Sequence, residues 1–277
     1  MARRFAAADF DLILWNRDRA KADEVAEATG GQVAETPADA ASRAPFTLSS
    51  LADDDAVRTV YLEEGGVVEG LRAGSIAIDT STVSPLTIHD VGEAVDAAGA
   101  GFADCPVSGS VSTVDAGSLL VMAGGEPALI SKVEPLLEPI AKRVLRVGDR
   151  GAGAACKLAV NGLVHGLNIA LSEALVLAER AGVERSLAYE VFASGAGGAP
   201  FVAYKRDAYE HPEDTPVAFS LDLVAKDLDL ITALGRAVGA SMRQADVGLE
   251  IVNEAIHAGL GDRDLSAVAV HLRERAG

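Results

Sequence analysis

The chain has 277 residues, of which 49% are hydrophobic, enough for one large or two ordinary domains with a substantial core. Its 24 Lys and Arg against 41 Asp and Glu give a net charge of −17, which argues against nucleic acid or an anionic membrane as partner. The two cysteines, Cys105 and Cys156, make no disulfide framework and lack metal-ligand spacing, so no metal and a reducing, cytoplasmic setting are expected. The opening MARRFAAADFDLILW is too short and too charged for a signal peptide and runs directly into a strand.

In chain order, Phe10 to Trp15 reads as a short buried strand. Asn16, Arg17, Asp18 and Arg19 follow, then a helix from Ala20 to Thr29 closed by Gly30-Gly31. Phe46 to Leu51 is a strand, and Ala52-Asp53-Asp54-Asp55 opens a helix with acidic residues in its first turn. Ser75 to Asp79 and Gly101 to Pro106 are further strands, each followed by a Ser- or Thr-rich turn. Leu119 to Ala123 and Arg143 to Val147 are strands around a helix from Ala128 to Ala141. Strands alternating with helices predict an α/β fold of Rossmann type, a doubly wound parallel sheet, over residues 1–150. Strand signals then largely stop. Helical periodicity over 186–194, 221–238 and 245–258 predicts an all-α domain over residues 151–277.

That second domain opens on Gly151 to Gly182, a stretch with no formal charge between Lys157 and Glu173. As a helix it is about 45 Å long and apolar on nearly all sides, so it is expected to be buried on nearly all sides. Asn161, His165, Asn168 and Ser172 interrupt it, which favours a central helix of a soluble protein over a membrane span. Lys157 and Asn161 lie four apart and share a face, and both need partners if buried.

Ligands of open α/β sheets bind beyond the carboxyl ends of the strands. Asn16-Arg17, Leu51-Ala52, Ser81-Thr82 and Ser108-Gly109 all fall at such ends. Singly each reads as a loop or a helix cap; together they are candidates for one crevice.

Four segments, in this order, resemble the β-hydroxyacid dehydrogenase family, which includes 3-hydroxyisobutyrate dehydrogenases and tartronate semialdehyde reductases. They are DTSTVSP at 79–85, DCPVSGS at 104–110, GAGAACKLAVN at 151–161 and LVAKDLDL at 223–230. The resemblance implies an NAD(P)-dependent enzyme interconverting a small β-hydroxy acid and its semialdehyde. It implies that Lys157 is the catalytic acid and base, and that Asn161 helps hold the substrate. It implies further that Ser108 and Gly109 form the carboxylate loop, that Thr82 lies near nicotinamide and substrate, and that Lys226 reaches the cofactor. The chemistry agrees: an ammonium can polarise a carbonyl and donate its proton, and burial lowers a lysine pKa toward the working range. Backbone N–H groups around Ser108-Gly109 can bind a carboxylate without adding a titrating group.

At the adenosine end, a carboxylate after the second strand would favour NAD. Asn16 and Arg17 stand there instead, and an Arg accepts a 2′-phosphate by charge-assisted bonds, so NADP is preferred, with Asp18 weakening the preference. Leu51 and Ala52 are the other candidate cofactor contacts.

Two departures stand out. Relatives begin with a strand and a glycine-rich turn, G-x-G-x-M-G, that faces the pyrophosphate. The motif is absent; Met1-Ala2 aligns just after it, and Ala2 to Ala8 reads as the remainder of a first helix. In the strand order 3-2-1-4-5-6 the missing strand is central, so the strands at 10–15 and 46–51 lose their shared neighbour. The second departure is Ser110, where relatives commonly carry glycine; a serine fits there if its φ is negative, but narrows the carboxylate loop.

Imine reduction is the alternative within the fold, and the retained lysine argues against it. A non-catalytic dimeric scaffold with a vestigial cofactor site is the alternative outside enzymology. The apolar long helix predicts a homodimer or homotetramer. The sequence also predicts that a chain extended upstream by a strand and a glycine-rich turn binds NADPH more tightly in a fluorescence titration. Equal binding without that extension contradicts this expectation.

Overall fold

The computed structural model describes residues 1–275. The chain divides into two units, Met1–Lys157 and the residues from Leu158 onward. The division falls later than the 150/151 boundary expected from the sequence, because the first turn of the long helix is held by the first unit.

The first unit carries β1 (Ile13–Leu14), β2 (Gln32–Val33), β3 (Phe46–Ser49), β4 (Ile76–Asp79), β5 (Gly101–Asp104), β6 (Val107–Ser108), β7 (Leu119–Gly124) and β8 (Ala141–Gly148). Its helices are α1 (Ala2–Ala7), α2 (Arg19–Thr29), α3 (Pro37–Ser42), α4 (Asp54–Leu62), α5 (Val67–Gly70), α6 (Pro85–Ala97), α7 (Val111–Asp115) and α8 (Pro127–Leu137). Most begin at a residue built to cap them. The side chains of Asp18, Thr36, Asp53, Ser84 and Ser110 accept from backbone amides in the first turns of α2, α3, α4, α6 and α7. Gly30 ends α2 in the left-handed region at φ 73°.

The main sheet has six strands. β3, β4 and β5 are parallel neighbours; β7 joins β5 antiparallel, and β8 and β6 both pair with β7, parallel and antiparallel respectively. The expected parallel sheet is thus its β3–β4–β5 half. Side chains alternate across it as the strand period of two requires. Ile76, Ile78 and Ala103 pack on one face with Leu119, Val121 and Leu137, while Ala77 and Phe102 pack on the other with Val57, Tyr61 and Val91.

β1 and β2 stand apart as a two-stranded parallel sheet, and β3 is an edge of the main sheet. The two strands expected to lose their shared neighbour do lack one among the described residues. α1 is helical as expected, with Met1 and Phe5 packed against the core that holds Ile78, Leu119, Val121 and Leu137. The short elements β2, α3, α5 and β6 were not legible in the sequence, since two to six residues carry no periodicity.

The second unit is all helical. It holds most of α9 (Ala152–Arg180), then α10 (Arg185–Ser194), α11 (Pro200–Tyr204), α12 (Arg206–Glu210), α13 (Leu221–Val238), α14 (Arg243–Ala255), a π turn (Ile256–Leu260) and α15 (Ala267–Arg275). The core packs Leu158, Leu171 and Leu175 of α9 against Leu221, Val224, Leu228 and Ile231 of α13 and Val252 of α14. The spacing on α13 is one face of a helix. Gly162 faces Ile231, and a Cβ at Gly166 would overlap the Gln244 side chain, so both glycines admit neighbouring helices closely.

α9 is long and apolar enough to cross a bilayer by length and composition alone, but half of its most apolar window is buried inside the protein. Asn168 and Ser172 are satisfied there. Asn168 donates to the Leu265 carbonyl at 3.0 Å and accepts from the Tyr209 hydroxyl at 2.6 Å, and Ser172 donates to the Asn168 carbonyl at 2.7 Å. Burial within the one chain is partial: Leu163 and Leu177 are 67% and 72% exposed. One stripe of the helix has no cover among the described residues.

Candidate active site

Ser49, Asp79 and Asp104 are register partners across β3, β4 and β5, a polar row at the carboxyl ends of three strands. Asp79 is fully buried and accepts from the Ser49 hydroxyl at 2.5 Å, the Ser81 amide at 3.0 Å and the Ser81 hydroxyl at 3.0 Å. Ser81 Oγ in turn accepts from the Leu51 amide at 2.8 Å, and the Thr80 hydroxyl donates to the Ser49 carbonyl at 2.7 Å. One carboxylate therefore ties the loop carrying Leu51 and Ala52 to the loop carrying Thr82.

Burial raises the Asp79 carboxyl to about 6, with the neighbouring Asp104 adding to it; the hydrogen bonds from Ser49 and Ser81 act the other way without cancelling it.

Asp104 does the same work for α9. Its oxygens accept from the Gly151 amide at 3.0 Å and the Ala154 amide at 2.9 Å, so an acid on β5 caps a helix 50 residues on. Gly153 allows this approach, since a Cβ there would lie 2.6 Å from the carbonyl oxygens of Asp104 and Met122. Lys157 sits one turn past Ala154 and is half-buried.

A cavity of about 700 Å³ lies between β1 and β3. Trp15, Asn16, Arg17, Leu51 and Ala52 line it, which brings four of the expected cofactor residues to one place. Thr82, Ser108 and Gly109 are not part of its lining. Asn16 Oδ1 accepts from the Asp18 amide at 2.9 Å, and Asp18 accepts from Ala20 as the α2 cap, so the Asp18 charge is spent locally. Arg19 is paired with Glu35 at 2.9 Å and Asp23 at 3.3 Å. Arg17 makes no ion pair among the described residues, and is the cation this cavity offers.

Ser108 ends β6, and Gly109 follows at φ 144°, where a Cβ would meet Leu119 and Thr113 within 3 Å. Ser110 has φ −92° and caps α7, with its hydroxyl 2.7 Å from that of Ser112. The serine fits because its φ is negative, as expected, and its role as a helix cap was not foreseen.

In the second unit, Asn161 and Lys226 meet at Asp227. Asn161 Nδ2 donates to Asp227 Oδ2 at 2.5 Å, His165 Nε2 lies 3.3 Å from the same oxygen, and Lys226 Nζ is 2.8 Å from Oδ1. Burial alone would raise the Asp227 carboxyl, but the bonds from His165 and Lys226 outweigh it and hold it below the usual carboxylate range.

Asp79, Asp104 and Asp227 were missed as site residues. All three lie inside the segments that carry the resemblance, yet a sequence does not show which backbone amides a carboxylate meets. No group of three His, Cys, Asp or Glu side chains that could hold a metal occurs among the described residues.

Residues 1–148 match the family described as the NAD binding domain of 6-phosphogluconate dehydrogenase. Residues 151–272 match the family described as NAD-binding of NADP-dependent 3-hydroxyisobutyrate dehydrogenase. The chain belongs to the β-hydroxyacid dehydrogenase family. It is 35% identical to glyoxylate/succinic semialdehyde reductase 1 of Arabidopsis thaliana over 259 residues, 94% of this chain and 89% of that protein. It is 30% identical to 3-sulfolactaldehyde reductase of Escherichia coli, over 90% of this chain and 83% of that protein. The structure of 3-hydroxyisobutyrate dehydrogenase from Salmonella typhimurium superposes with a TM-score of 0.87 at 27% identity, over 98% of this chain and 94% of that one. Membership makes the protein a nicotinamide-dependent oxidoreductase that interconverts a hydroxy acid and its semialdehyde.

The residues present fit the adenosine end of such a cofactor, through the cavity beside Arg17, Leu51 and Ala52.

The Asp79 carboxyl favours the folded state while protonated. That stabilisation is complete below about pH 4 and is lost as the pH rises through about 6. Asp79→Asn does not titrate. Between pH 4 and pH 7 its stability is expected to gain roughly 3 kcal/mol on the parent, read from denaturant melts. Parallel pH profiles for the two proteins would contradict this.

Proposed function

We propose that this enzyme reduces a small carboxylate-bearing aldehyde to the corresponding hydroxy acid with NADPH, with Lys157 as the general acid. The observation that carries the reading is Lys157 one helical turn before Asn161, whose amide is locked on the buried Asp227 carboxylate. The relatives supply the substrate class, since succinic semialdehyde, glyoxylate and 3-sulfolactaldehyde each pair an aldehyde with an anion.

A bound nicotinamide supplies the hydride. The protein's part is to bind, orient and protonate. The Lys157 ammonium holds its proton for the carbonyl oxygen and gives it up as that oxygen gains charge; in the oxidative direction the amine takes it back. With Nδ2 donating to Asp227, Asn161 presents Oδ1 as an acceptor, matched to a hydroxyl or an ammonium. The loop at Ser108 and Gly109 takes the substrate carboxylate on backbone amides, and Thr82 stands beside the reacting end.

Arg17 takes the adenosine 2′-phosphate, which makes NADP the preferred nucleotide. Its freedom from ion pairs, with Asp18 and Arg19 both engaged elsewhere, supports that choice. Lys226, held at Asp227, is the helical unit's contact to the cofactor in this reading.

We further propose a homodimer formed on α9. Val160, Leu163, Leu167, Ala170, Ala174 and Leu177 recur at alternating spacings of three and four, the seam of a helix pair. An apolar hollow of about 380 Å³ beside Leu167, Ala170 and Ala174 continues the same face. A second copy covers it. The unpaired Cys105 and Cys156 support a cytoplasmic setting.

Lys157→Ala is expected to lower kcat by roughly 100- to 10,000-fold with an unchanged melting temperature; unchanged turnover would refute the role. Arg17→Ala is expected to weaken NADPH binding about 10- to 100-fold and NADH binding little; equal losses would refute the nucleotide preference. Sedimentation at micromolar concentration is expected to show a dimer, and a monomer would refute the α9 interface.

A further inference from the structure

We propose that His165 is a positioning residue, which fixes the Asp227 carboxylate and through it the amide of Asn161 and the ammonium of Lys226. The proposal rests on the reading that Asn161 holds the substrate.

Lys157, Asn161 and His165 follow one another at intervals of four on α9, so all three project from one face. His165 is 2% exposed. Its ring lies tilted against Phe219, with centroids 5.8 Å apart, and its Nε2 points at Asp227 Oδ2. A carboxylate oxygen accepts, so Nε2 carries the proton. The other ring nitrogen, Nδ1, is buried and has no hydrogen-bond partner among the described residues.

That orphaned nitrogen decides between a packing role and a functional one. Stability alone does not select a histidine here: a phenylalanine would fill the space against Phe219 and strand no polar atom. What the imidazole adds is one donor to a carboxylate that is itself 0% exposed. The charged and titratable groups recorded at Asp227 are Lys226 beside it on α13 and His165 from α9. With both donors in place the carboxylate stays ionised, and an ionised Asp227 accepts only. The Asn161 amide then has one orientation, with its NH₂ toward Asp227 and its oxygen free for the substrate side. Without His165, Lys226 and the Asn161 amide are left to oppose the burial of the carboxyl, and a protonated Asp227 no longer dictates which way the amide faces.

The test compares His165→Phe, which keeps the ring and loses the N–H, with His165→Gln, which keeps an N–H donor. Steady-state kinetics use succinic semialdehyde and NADPH from pH 4 to 8, and the Asp227 carboxyl is titrated by carbon NMR without substrate. His165→Phe is expected to raise KM about tenfold with a smaller change in kcat. It should also move the Asp227 titration and the acid limb of kcat/KM up by about one pH unit. His165→Gln is expected to restore most of both. Should His165→Phe not fold, His165→Leu takes its place with the same expectations. If the donor-lacking variant matches the parent in KM, acid limb and carboxyl titration, the proposal is overturned. A parent that turns over no semialdehyde would instead overturn the proposed reaction, and the NMR titration would still decide whether His165 holds Asp227.

Discussion

Where α9 begins is set by one carboxylate. Asp104, at the end of β5, takes the amides of Gly151 and Ala154 and so fixes the first turn of a 29-residue helix. Such a cap satisfies donors that no residue within the helix can reach, and its charge opposes the positive end of the helix. Lys157 and Asn161 are rigid extensions of that turn. A helix fixes the direction of its side chains far better than a loop does, so placing its start places Lys157 and Asn161 together on one face.

Buried acids recur wherever this structure needs a loop or helix held. Asp79 joins the loops after β3 and β4, Asp227 gathers Asn161, His165 and Lys226, and Asp264 takes Lys205 at 2.7 Å with the amides of Ala218 and Ser266. Each is costly to bury and is compensated by several donors, which is the condition under which buried carboxylates are tolerated. A chain of net charge −17 that acts on anions must also concentrate its few cations. It does so by pairing most of its basic residues, as with Arg19 and Glu35, while Arg17 makes no ion pair among the described residues and lines the cavity.

The long elements were legible in the sequence because their patterns are long. α9 and α13 repeat apolar residues over 18 or more positions, and β3, β4 and β5 end in turn residues at regular intervals. The loops Asn16-Arg17 and Leu51-Ala52 were legible as strand ends, and they do meet at one cavity. The antiparallel entry of β7 was not legible, because strand direction depends on a connection and not on composition. Nor were the partners of Asp79, Asp104 and Asp227, which lie 30 to 66 residues away in the chain. Whether the cover of the long helix comes from the same chain or from a second copy was not legible, because a hydrophobic pattern does not say so, and one stripe of it is exposed among the described residues.

The central claim is that hydride passes directly between a nicotinamide and the carbonyl carbon of a carboxylate-bearing aldehyde. Its most direct test is turnover of succinic semialdehyde with NADPH deuterated at the nicotinamide C4, with the product read by mass spectrometry and NMR. The account predicts one deuterium on the carbinol carbon of the hydroxy acid for each NADPH oxidised. Oxidation of NADPH without deuterium in the product, or no oxidation with any small carboxylate-bearing aldehyde, would contradict it.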